Sequence, residues 1–145
     1  MGLVNPEIAK LGTEPISPST PAGESVQYDP QFDQISNEIA KTQSLTGAVV
    51  DWDTVVQLST ALLRSRSKDM RVAAYLTAGL LQKNGYEGLL NGLQMCSGLI
   101  REFWETAFPE KLTRMRGRVG ALQWLADRFA VVLKTGTLRA PSRLA

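Results

Sequence analysis

Few residues in this chain are suited to catalysis, and one useful type is missing. The 145 residues include no histidine. That removes Ser-His-Asp and Cys-His nucleophilic sites, the commonest general base and every histidine-containing zinc site. The single cysteine, Cys96, falls on an apolar stripe with nothing to activate its thiol, and reads as a small core residue of ordinary reactivity. Asp51 with Asp53, and Glu102 with Glu105, are carboxylate pairs of the kind that general acid–base catalysis uses. The first pair better suits the start of a helix and the second a solvated face. The glycines of "GYEGLLNGL" (residues 85–93) do not follow a strand, as a phosphate-cradling loop would require. The expectation is a protein that is not an enzyme, with no catalytic, metal-binding or cofactor-binding set and no cofactor.

One charged group is left over. Lys111, Arg114, Arg116 and Arg118 crowd the stretch "EKLTRMRGR" (residues 110–118), with Arg114 and Arg118 at the i, i+4 spacing of one helical face. The positive end of a helix disfavours cations, so the cluster is mildly frustrated as plain surface. These four residues are the candidate contacts for an acidic partner. A small basic module that binds nucleic acid is the alternative. It is weakened because no aromatic residues interleave with the basic ones and no recognition motif accompanies them. Trp52, Trp104 and Trp124 lie on or beside apolar stripes and read as core or edge of core before interface anchors.

The helices that carry these residues are marked by periodicity. Residues 1–27 hold Pro6, Pro15, Pro18 and Pro21 among Gly, Ser and Thr, and read as an extended leader. Asp29 can cap a helix whose first residue is Pro30, with Phe32, Ile35 and Ile39 at helical spacing over about 30–42. Asp51 can cap the next helix, which ends in the cations Arg64–Arg66. In "RSKDMRVAAYLTAGLL" (residues 66–81) four charges precede ten residues that carry none. Ser67 is a candidate cap and Asp69 suits the first turn, after which the run is too apolar for any solvated face. Such a helix belongs in the middle of a bundle, its small residues admitting neighbouring backbones. Asn84-Gly85 ends it. A fourth helix at about 86–107 carries Gly88 and Gly92 as a close-contact ridge. A fifth at about 112–134 is expected to bury Met115, Val119, Leu122, Leu125, Phe129 and Val132. The fold class is all-α: a single bundle of about five helices with an extended Pro-rich leader.

Length and composition agree with one domain of ordinary size. A formal net charge of +2 is too mild to imply nucleic acid by itself. One cysteine excludes an internal disulfide and fits a reducing compartment. No apolar run approaches a membrane span and no secretory signal opens the chain, so a cytoplasmic setting is expected.

Several separated motifs, in order, resemble a known family. "ISPSTPAGESVQYDPQF", "DW", "LLRSRSKDMRVAAYLTAGLL", "GYEGLLNGL", "REFWETAFPEK" and "RGRVGALQWLADR" resemble the ImpA-type N-terminal domain of TssA proteins, components of the bacterial type VI secretion system. The resemblance spans about residues 15–130. It implies structural work in a cytoplasmic assembly factor of a contractile, phage-tail-like machine. The implied partners are protein subunits of the baseplate, the tube and sheath, or the membrane complex, with self-association of the domain also open. It further implies a domain at 28–134, with 135–145 a tail or the start of a linker to a ring-forming C-terminal domain absent from this chain. The matching signature positions are Tyr28, Asp29, Pro30, Trp52, Lys68, Asp69, Arg71, Tyr75, Trp104, Pro109, Arg118, Leu122 and Trp124, expected mainly to hold the domain together. Lys68, Asp69 and Arg71 are expected to pair with acids or helix ends where the second and third helices meet.

Overall fold

The computed structural model describes residues 5–135, and among them the secondary structure is helical, with five α-helices and no strand. In chain order these are α1 (Pro6–Thr13), α2 (Pro30–Ala40), α3 (Trp52–Ser65), α4 (Met70–Phe103) and α5 (Lys111–Thr135). A single 3-10 turn, Lys41–Gln43, extends α2.

Side-chain caps fix where the helices start. Asp29 accepts from the Gln31 amide at 2.7 Å, with Pro30 in the first helical position, where a missing N–H leaves nothing unsatisfied. Asp51 accepts from the Thr54 amide at 3.2 Å. At α4 the cap is Asp69, not Ser67: its Oδ1 accepts from the amides of Arg71 at 2.8 Å and Val72 at 3.3 Å.

Helix α4 is not a rod. Gly85 has φ 67° and ψ −142°, backbone that L side chains rarely adopt, and the chain folds back there. The two limbs run side by side. A Cβ on Gly92 would lie 2.5 Å from Thr77 Cγ2, and the Thr77 hydroxyl sits 3.5 Å from Cys96 Sγ. These limbs are the third and fourth helices expected from periodicity.

The first limb is the centre of the bundle. From Val72 to Leu81 every residue except Tyr75 is buried. Its small residues face different neighbours: Gly79 meets Val56 of α3, Thr77 meets Gly92, and Ala74 and Ala78 meet Ala121 and Leu125 of α5. Tyr75 stacks on Phe32 of α2 and takes Trp124 of α5 edge-on at 5.2 Å.

The leader departs from the extended reading. Asn5 caps α1, its side chain accepting from the Glu7 amide at 2.9 Å, and Pro6 takes the first position. Leu11 and Gly12 are buried against the second limb of α4, and further on Ala22 and Val26 are buried too. The segment therefore wraps the bundle. The tail expected at 135–145 falls, after Thr135, outside the described residues.

Helix α5 buries Leu125 and Val132 as expected and half-buries Met115 and Phe129, but turns Val119 and Leu122 outward. Arg118, Ala121, Leu125 and Val132 are buried, whereas Val119 is 59% and Leu122 37% exposed. Arg114 leaves helical geometry (φ −138°, ψ 34°), which resets the phase of the turns after it.

Gly12 and Gly120 allow a controlled test of the leader's docking. A Cβ at Gly12 overlaps the Met95 carbonyl, a backbone atom that cannot swing aside. Gly12→Ala should cost about 1–3 kcal/mol in urea unfolding. Gly120→Ala, on a helix surface with open space around it, should be neutral or stabilising by up to about 1 kcal/mol.

Candidate functional site

The connection from α3 to α4, "RSKDMR" (residues 66–71), is held on both sides. The Lys68 amide donates to Ala22 O at 2.8 Å, and the Glu24 amide donates to Arg66 O at 3.0 Å. On the other side the Met70 amide donates to Phe108 O at 2.7 Å, and the Phe108 amide to Lys68 O at 3.0 Å. The leader, this connection and residues 107–109 thus lie side by side.

Buried charge locks the junction. Lys68 is 1% exposed, and its ammonium donates to Leu11 O at 2.7 Å and Leu63 O at 2.8 Å. Both carbonyls lie in last turns, of α1 and α3, where no further amide is available to them. Burial pulls the Lys68 pKa down to about 8, against an opposing pull from Glu14. Asp69 holds Arg71 in a fork, from Nε at 3.1 Å and Nη2 at 2.7 Å. The Arg71 guanidinium also lies 4.7 Å over the Phe32 ring. Arg66 pairs with Asp29 at 2.9 Å. Helix ends and an acid are therefore what Lys68, Asp69 and Arg71 engage.

The basic cluster separates into three kinds of residue. Arg118 is buried, donating from Nε to Pro109 O, from Nη1 to Trp104 O and from Nη2 to Ala107 O, each at 2.6 Å, with its guanidinium over the Trp104 ring. This corrects its place among the partner contacts: the side chain is consumed by the carbonyls that follow α4. Lys111 pairs with Glu105 at 2.6 Å. Arg114 and Arg116 are exposed, and their guanidinium groups have no partner among the described residues. The expected Arg114–Arg118 face does not form, because the helix is interrupted at Arg114.

Arg114 and Arg116 open onto a cleft of about 260 Å³ that residue spacing gave no hint of. Arg71, Ser25, Gln27 and Thr113 also line it, beside Phe108 and Pro109. A shallower depression of about 470 Å³ adjoins it through Phe108, Glu110 and Thr113. Leu112, 93% exposed, stands at its edge.

Apart from Pro109, the other sequence candidates do not line this cleft. Cys96 is buried, which raises its thiol pKa. Asp53 pairs with Lys83, and Glu102 with Arg101 at 3.3 Å. Trp52 begins α3 and lies under Arg128 at 5.8 Å. Pro109 is buried, while Tyr28 is exposed next to the α2 cap. Among the described residues no group of acids and cysteine is placed to hold a metal ion, and no helix is long and apolar enough to cross a membrane.

Residues 13–127 match the family described as "ImpA, N-terminal, type VI secretion system". The chain belongs to this family. It is 31% identical over 102 residues to the type VI secretion system component TssA1 of Pseudomonas aeruginosa, which covers 65% of this chain and 29% of the relative. Its structure is similar to the N-terminal domain, including the conserved ImpA_N region, of the TssA component from Burkholderia cenocepacia. There the TM-score is 0.74 at 34% identity, over 92% of this chain and 50% of that one. The chain therefore spans under a third of the curated relative and half of the structural one.

For this ImpA N-terminal domain, buried cations are expected to dominate the response to mutation. Arg118→Met leaves three carbonyls without their donors and should cost about 3–5 kcal/mol, lowering Tm by on the order of 10 °C in a thermal melt. Lys68→Met should cost about 2–4 kcal/mol at neutral pH, for the loss of two buried acceptors' partners. The pH dependence has a definite sign. Lys68 titrates near 8 when folded and at its ordinary 10.5 when unfolded, so the unfolded chain binds more protons between those values. Wild type should gain stability over Lys68→Met as pH rises through that window, with a flat difference below it.

Proposed function

We propose that this chain is a non-catalytic, cytoplasmic interaction domain of a type VI secretion assembly protein, presenting helical surface to subunits of the baseplate, the tube and sheath, or the membrane complex. The observation that carries this reading is the family match over residues 13–127, on a fold shared with the TssA N-terminal domain. The chemistry of the side chains supports it. The most buried ionisable groups, Lys68, Asp69 and Arg118, are bound to backbone or to an arginine as structural fasteners. None is aimed into the cleft with the freedom that a proton-transfer group needs. The exposed Arg114 and Arg116, with Lys111 in the adjoining depression, form the surface we assign to partner contact.

Affinity capture of the tagged chain from a bacterium that runs a contractile secretion machine tests this directly. After mild crosslinking, mass spectrometry should find named baseplate, tube, sheath or membrane-complex subunits enriched at least tenfold over an untagged control. Enrichment of none of these would refute the reading, and so would turnover of a metabolite by the purified chain.

A further inference from the structure

Resting on the interaction-domain reading, we propose that the cleft between the leader, the start of α4 and the start of α5 binds an acidic peptide segment of a protein partner, with Arg71, Arg114 and Arg116 holding its carboxylates. Three arginines line one space of about 260 Å³, whose lining carries a single carboxylate, Glu110. A guanidinium presents paired N–H donors that match the two oxygens of a carboxylate, so Arg114 and Arg116 suit carboxylates, while Arg71, with its Nε and Nη2 on Asp69, keeps Nη1 for a further contact.

The three arginines are prepared in different ways. Arg71 is fixed by Asp69 and the Phe32 ring, so little side-chain freedom is lost when it adds a further contact. Arg114 and Arg116 have no partner to give up among the described residues. Neutral hydrogen-bonding groups of Ser25, Gln27 and Thr113 complete the lining and suit a peptide backbone. A space this small takes a side chain or two, so an extended segment would reach in with individual acids rather than seat a whole helix. Leu112, almost fully exposed at the adjoining depression, offers contact to an apolar residue flanked by those acids. A nucleic-acid strand needs a longer positive track, and here Glu105 and Glu110 interrupt the charge.

The test uses the full 145-residue chain and a fluorescein-labelled peptide of sequence DELED, titrated by anisotropy at about 50 mM salt, where charge pairing is least screened. The DELED peptide should bind and its neutral counterpart NQLQN should not. Arg116→Glu should weaken binding at least tenfold, whereas Lys134→Glu, an equal charge change at the far end of α5, should change it less than twofold. Arg116→Glu exchanges a cation for an anion near a positive helix end, so its Tm should equal or exceed that of wild type, which excludes unfolding as the cause. Four results would overturn the proposal: no binding of DELED, equal binding of NQLQN, an equal loss in Lys134→Glu, or tighter binding of inorganic phosphate or a 20-nucleotide single strand. The broader reading fails separately. If Arg114→Glu/Arg116→Glu still captures the secretion subunits as wild type does, the cleft assignment falls and the interaction domain stands; if wild type captures none, the interaction domain falls.

Discussion

Two buried cations that bond to backbone carbonyls hold the end of this bundle together. Lys68 takes Leu11 O and Leu63 O; Arg118 takes Trp104 O, Ala107 O and Pro109 O. Leu11 O and Leu63 O belong to helix ends, which leave their last carbonyls without intrahelical donors at the negative end of the dipole, and the three that Arg118 takes belong to the chain after α4. Where several such ends are packed out of reach of water, each unsatisfied carbonyl costs about 1–3 kcal/mol. One cation with several N–H groups satisfies two or three of them at once. That explains why charges without a bonded carboxylate partner are stable in so dry a place. Together with the backbone bonds of Phe108 to Lys68 and Met70, this bonding ties α1, α3 and the segment after α4 to the α3–α4 connection.

The same balance decides the face of α5. Two apolar stripes compete along it. One, through Met115, Val119, Leu122 and Phe129, would bury more hydrocarbon; the other, through Ala121, Leu125 and Val132, brings Arg118 inward. Burying a valine or leucine contributes about 1.5–3 kcal/mol. Satisfying three carbonyls contributes at least as much, and Ala121 lets α5 close against Ala74 and Ala78, where a larger residue would hold it away. The second stripe therefore wins although it is the less hydrophobic.

Legibility in the sequence divides along the same line. Signals carried by residue type were legible: Asp29-Pro30 and Asp51 as helix starts, the run after Arg71 as a buried central limb, Gly92 as a point of close approach. Helix α1 was equally legible in principle. Asn5-Pro6 repeats the logic of Asp29-Pro30, with Ile8 and Leu11 one turn apart, but the later prolines give the whole segment the composition of an extended chain. Arg118 and Lys68 were harder, because their partners are carbonyls, which every residue has and no residue type marks. An arginine at i, i+4 from another arginine looks like surface until the carbonyls that receive it are placed. The cleft was beyond reach for a related reason: it joins residues 25, 71 and 114, which come together only once the leader is folded onto the junction.

The arrangement of charge on α5 then has a physical interpretation. The four cations at its start serve different ends: Arg118 is internal, Lys111 is paired, and Arg116, like Arg114, is left facing solvent. Near the positive end of a helix an acid contributes about 0.3–1 kcal/mol and a cation works against it. A surface shaped by stability alone would carry Asp or Glu at 114 and 116. Instead the domain keeps Arg114 and Arg116 at one cleft, and an acidic ligand would compensate their charge on arrival. Because the junction beneath them is fixed by Lys68 and Arg118, that compensation would appear as affinity rather than as rearrangement of the bundle.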